Sequence, residues 1–118
     1  MQRRFSVLMQ TVAPLAFFHF RVRLYHRGRF FRAYLLDLNE SGALFGLGPE
    51  NYMQVDVSGN VRGSIDSRHG TEIDFTGLVD EKRGQQIKGQ FFHTVQVRFD
   101  TAVNLSDRLL ATTISLLD

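Results

Sequence analysis

The chain reads as an all-β protein, a small six-stranded antiparallel barrel followed by one C-terminal helix. Three observations predict it. Apolar and polar residues alternate with a period of two through most of the sequence, turn-forming residues recur at short intervals, and the period becomes helical only from Ser106 onward. At 118 residues, 43% of them hydrophobic and 22% charged, the chain has the size and composition of one globular domain.

Residues 1–15 read as a flexible basic segment. Arg3 and Arg4 precede an apolar stretch, but Gln10, Thr11 and Pro14 interrupt it, and Phe17-Phe18-His19-Phe20 is a poor cleavage site for a secretory signal. The stretch is also shorter than the ~20 apolar residues a membrane helix needs. With no cysteine in the chain, a cytoplasmic, non-membrane protein is the expectation.

The barrel is expected over residues 16–100. Phe18, Phe20, Val22 and Leu24 point one way and His19, Arg21, Arg23 and Tyr25 the other. His26-Arg27-Gly28-Arg29 reads as a turn, and residues 30–38 as the returning strand of a hairpin. Residues 42–47 form a third short strand, closed by Gly48-Pro49. Residues 52–57 read as a strand with Met53, Val55 and Val57 on one face, and residues 61–66 as the next. Residues 72–80 place Ile73, Phe75, Gly77 and Val79 inside, and residues 81–89 read as a polar loop or long hairpin tip. Residues 91–99 close the barrel with Val95, Val97 and Phe99 inward. A helix is expected over residues 105–117: Ser106 is suited to its N-cap, and Leu105, Leu109 and Leu116 lie on one apolar stripe. That stripe needs a surface, either the barrel itself or a partner subunit, so homo-oligomerisation through the helix is open.

The motifs of several catalytic classes are missing. No G-x-S-x-G elbow, Walker loop or G-x-G-x-x-G occurs, and His19, His26, His69 and His93 lack metal-ligand spacing. The expectation is a non-enzymatic binding module without a cofactor or metal.

Charge is distributed unevenly. From Met1 to Leu36 there are seven arginines and no acid; from Asp37 on, seven basic residues stand against twelve acidic ones, and both lysines, Lys82 and Lys88, fall there. Arginine makes planar bidentate contacts with phosphate and with the guanine edge, and it stacks on bases. This face is therefore either simply solvated or directed at a phosphate-bearing anion.

Asp37 raises a separate question, because it interrupts the apolar run Tyr34-Leu35-Leu36 before the turn residues Asn39, Ser41 and Gly42. It either caps a local turn or faces a ligand that donates hydrogen bonds.

The order of these features resembles the PilZ domain, a six-stranded barrel family whose recognised members bind the bacterial second messenger cyclic di-GMP. That family carries R-x-x-x-R in a flexible N-terminal segment and [D/N]-x-S-x-x-G at the end of the second strand. Here Asp37 and Gly42 match the second motif and Asn39 stands where the family has Ser; Gln96 to Phe99 and the helix from Ser106 resemble its C-terminal end. Arg3 and Arg4 resemble the paired arginines, but the position four beyond Arg4 is Leu8. An R-x-x-x-R spacing occurs at Arg23 and Arg27, within the first strand and its turn.

The resemblance implies a cyclic di-GMP site of Arg3, Arg4, Asp37, Asn39 and Gly42, weakened by the missing arginine, and a relay to a protein effector. In such a site arginines would fork onto phosphate or guanine O6 and N7, Asp37 would accept from the guanine N1–H and N2–H₂ edge, and Gly42 would permit close approach or a positive φ. A ligand-blind adaptor acting through protein contacts is the alternative. A nucleic-acid-binding barrel using the Arg and Phe interleaving of residues 17–32 is the least favoured, since those Phe residues fit a core.

Overall fold

A computed structural model describes residues 20–66, 72–87 and 89–104; the expected N-terminal segment, with Arg3 and Arg4, and the expected helix at 105–117 lie outside the described residues. The strands are β1 (Arg21–His26), β2 (Arg29–Asn39), β3 (Gly42–Leu47), β4 (Asn60–Asp66), β5 (Glu72–Ile87) and β6 (Gln90–Phe99). They close a barrel in the order β1-β2-β3-β6-β5-β4, with every neighbouring pair antiparallel. The expected six-stranded antiparallel barrel is the observed fold.

The period-two pattern explains the core. Phe20, Val22 and Leu24 enter from β1 and its approach, Phe31 and Leu35 from β2, Ala43, Phe45 and Leu47 from β3, and Val95, Val97 and Phe99 from β6. Phe45, Phe75 and Phe99 form a ring stack at its centre, with centroids 5.8 and 4.8 Å apart. Closure is tight where β4 meets β1: a Cβ at Gly63 would lie 2.3 Å from the Arg23 carbonyl oxygen and 2.9 Å from the Phe75 ring. Only glycine fits that approach.

The β1–β2 hairpin turns on Arg27 and Gly28, both at positive φ (53° and 76°), the pairing a two-residue type I′ turn requires. His26, read as part of the turn from sequence, is instead the buried last residue of β1.

One expectation fails. Residues 52–57 do not form a strand: Pro49–Met53 is a short helix, α1. Pro49 occupies the first helical turn, where its missing N–H costs nothing and its φ is already set. Of the three residues placed on one face, only Val55 joins the core, while Met53 and Val57 are exposed. Of the two readings of residues 81–89, the long hairpin is the observed one: β5 continues to Ile87, paired with β6 as far as Ile87–Gln90. Asp80 is the extra residue of a bulge between the Val79–Val97 and Glu81–Gln96 pairs. Beyond it the hairpin carries polar residues, held in part by Thr94, whose hydroxyl donates to the Arg83 carbonyl and accepts from Gln85, each at 2.8 Å.

Candidate functional site

The β2–β3 hairpin answers the question posed by Asp37. Leu35 pairs with Phe45 and Asp37 with Leu44, so Leu36 is an extra residue bulged out of β2. The bulge breaks the alternation: Leu35 enters the main core, and Leu36 joins a second cluster with Leu44, Ile87 and Phe92 on the outward side of the wall. Asp37 follows it with no exposed surface. Its Oδ1 accepts a hydrogen bond from the Leu38 N–H at 2.8 Å, while its Oδ2 is buried and has no partner among the described residues. Burial pushes the carboxyl up to about 8, the Leu38 bond opposing the shift only partly. At neutral pH Asp37 is therefore mostly the neutral acid.

The turn cap is Asn39. Its Oδ1 accepts from the Ser41 N–H (2.8 Å), the Ser41 hydroxyl (2.8 Å) and the Gly42 N–H (3.1 Å). The segment leaving β6 holds the same turn from outside, as the Phe99 N–H donates to the Ser41 carbonyl and the Val103 N–H to the Glu40 carbonyl. Asn39 Nδ2 is buried and, like Asp37 Oδ2, has no partner among the described residues. Gly42 is a buried strand residue paired with Asn39 and Arg98; the left-handed glycines among the described residues are Gly28 and Gly89, so the positive φ considered for Gly42 does not occur. The structure thus brings Asn39 and Gly42 into direct contact and sets Asp37 beside them on β2; Arg3 and Arg4 lie outside the described residues.

Arg23 and Arg27, the R-x-x-x-R pair, are engaged elsewhere. Arg23 donates to Ser64 and to Asp66 and lies 3.7 Å from Glu72. Arg27 pairs with Asp56, and that bond holds the Asp56 carboxyl below the usual range.

Two features went unread in the sequence. His26, 2% exposed, places Nδ1 2.8 Å from the Asn60 carbonyl, and Nε2 accepts from the Asp56 N–H at 3.2 Å. This defines the Nδ1–H tautomer and ties the first hairpin to the approach to β4. Its position two residues after Leu24, on the buried parity of β1, was the available signal. The second is the exposure of Phe30 and Tyr34 on the outward parity of β2, beside Tyr25, which the alternation of β1 already places outward.

A groove of about 790 Å³ runs along β4 and β5 between Arg62, Asp74 and Asn104, and Asp37, Asn39 and Gly42 do not line it. Among the described residues no group of His, Cys, Asp and Glu could hold a metal, and no helix is long and apolar enough to cross a membrane. Compared with known protein families and with curated proteins, the sequence matches none.

Proposed function

We propose that the chain is a non-enzymatic, cytoplasmic bacterial signalling module resembling PilZ receptors, which binds cyclic di-GMP at the β2–β3 turn and relays it to a protein effector. The observation that supports this reading is the pair of unsatisfied groups two residues apart, Asp37 Oδ2 and Asn39 Nδ2. Buried polar atoms without partners are costly, and one use for them is a ligand that supplies the missing partners. A guanine edge carries both the N–H donors that Asp37 lacks and acceptors for an amide N–H.

The chemistry has a consequence for protons. Guanine donors favour the charged carboxylate, whereas the free protein holds Asp37 near 8. Binding below that pH therefore expels a proton, and affinity rises as pH increases toward 8. Calorimetric titration with cyclic di-GMP in two buffers of different ionisation enthalpy tests this. Heat that depends on the buffer, lost in Asp37→Ala, supports the reading. Leu8→Arg restores the missing fork and tightens binding about ten- to a hundredfold, the worth of one charge-assisted contact. Arg4→Ala weakens binding and flattens its salt dependence.

A ligand-blind adaptor is the second reading, and one observation favours it: Asp37 has no exposed surface and Asn39 Oδ1 is fully used by its own turn. The absence of heat from both the parent protein and Leu8→Arg selects it.

A further inference from the structure

We infer that the outer face of β1 and β2 is a binding surface for single-stranded nucleic acid, independent of the turn at Asn39. In β1 and β2 the inward parity takes Val22, Leu24, Phe31 and Leu35, so the outward parity carries Arg21, Arg23 and Tyr25 on β1 and Phe30, Arg32 and Tyr34 on β2. Neither strand places an acid among these residues; Asp66 of β4, opposite Arg21, engages Arg23 and leaves Arg21 and Arg32 as the cations of the two strands' outer face without an ion pair among the described residues. The pairings Arg23–Arg32 and Tyr25–Phe30 put like beside like across the two strands, making a basic row next to an aromatic row.

The aromatic row is built and exposed. Tyr25 and Phe30 lie 5.3 Å apart and are 37% and 46% exposed, and Arg62 of β4 extends the row with its guanidinium 4.8 Å over the Tyr25 ring. Tyr34, 51% exposed, stands beyond Arg32 on the same strand. Outward residues on one strand recur every two positions, roughly 6.6 Å, so Phe30, Arg32 and Tyr34 alternate ring, charge and ring. Bare solvation explains arginines but not three large rings held in water beside them. Bases stack on such rings whatever their identity, and arginines neutralise the phosphates between. Of the Phe residues that suggested this class from sequence, Phe20 and Phe31 are in the core and Phe30 is exposed; here Phe30 carries it with Tyr25 and Tyr34.

Charge also sets the direction of the track. Across β4 from Arg21 and Arg23 the groove carries Glu72 and Asp74, and neighbouring Asp66 and Asp74 raise the Glu72 carboxyl above its usual range despite Arg23. An anionic strand is repelled there and is directed across β1 to β2. Among the described residues Arg21 and Arg32 make no ion pair, so both remain available to phosphate.

Fluorescence anisotropy with labelled oligothymidylate of about twelve nucleotides tests the inference on the full chain. Binding is expected at low salt with a Kd on the order of 1–100 µM, falling as salt rises. Phe30→Ala and Tyr25→Ala each weaken it about five- to a hundredfold, and Phe30→Trp retains it. Arg32→Gln reduces the salt slope by about 0.7, one phosphate on a single strand. Since these side chains are exposed, melting temperatures confirm that each variant is folded. The inference is overturned by no binding at low salt, by equal affinity for duplex, or by binding indifferent to the rings. Self-association lost in Phe30→Ala, with no oligonucleotide bound, overturns it equally and assigns the face to a second copy.

Discussion

Asn39 satisfies three hydrogen-bonding groups of its own turn through one oxygen, while Asp37, two residues earlier on the same strand, leaves an oxygen buried without a partner. One residue is structural in the ordinary sense. The other is a cost the fold carries, and a carboxyl held near 8 reflects it. The bulge at Leu36 pairs Asp37 with Leu44 rather than leaving it on the inward parity of Leu35, so the buried, unpartnered oxygen sits on the outer side of the wall.

Asp37 makes stability depend on pH in a direction opposite to that of a salt-bridged carboxylate. Its folded pKa lies above the unfolded value of 3.8, so the folded state holds the proton more tightly. Its contribution is fully present below about pH 4 and is lost as pH rises toward 8, at up to about 1.4 kcal/mol per unit. Urea melts at pH 5, 6.5 and 8 should show Asp37→Asn gaining stability over the parent as pH rises, by several kcal/mol across that range. A constant difference between the two proteins would contradict the buried, unpaired carboxyl.

Asn39→Ala removes the acceptor for two N–H groups and a hydroxyl and should cost about 1–2 kcal/mol in denaturant melts. Asn39→Asp keeps the acceptor and deletes the orphaned Nδ2, so it should stay within about 0.5 kcal/mol of the parent. Equal losses from both substitutions would show that the cap does not hold the turn.

His26 and Arg27 are adjacent, but they differ in what they are worth. His26→Ala opens a cavity and strands the Asn60 carbonyl and Asp56 N–H, at about 2–4 kcal/mol. Arg27→Ala breaks an exposed ion pair with Asp56, which water and salt screen, so its loss costs far less. Thermal melts of the two variants should rank them in that order at neutral pH.

Gly63→Ala places a methyl 2.3 Å from a backbone oxygen in the closed wall, and β1 and β4 must separate to admit it. A loss of about 1–3 kcal/mol is expected, as for overpacking elsewhere. Hydrogen exchange should quicken at the β1–β4 amides first, and a neutral substitution would mean the barrel is looser than its geometry.

Period-two reading located the strands wherever one face is buried. It fails at residues 52–57 because Met53, Val55 and Val57 alternate over a window too short to separate a strand from a helical turn, and Pro49 both ends β3 and starts α1. The outer half of β5 is legible only as a loop or a long hairpin, because polar residues dominate it and leave no clear alternation to read. The bulge at Leu36 and the fate of Asp37 depend on β3 as a pairing partner, which no local pattern encodes. Asn39 was recognisable as a turn residue by type, and its triple cap is what that type does when Ser and Gly follow.

The most direct test of the proposed receptor is an NMR titration of the labelled protein with cyclic di-GMP at pH 7.5, following the amides of Leu38, Ser41 and Gly42. Their N–H groups bond to Asp37 and Asn39, so ligand donors reaching Asp37 and an acceptor reaching Asn39 Nδ2 must change their environment. The receptor reading predicts saturable shifts at all three, reached at lower ligand concentration in Leu8→Arg. Unmoved resonances at these positions in both proteins would contradict it.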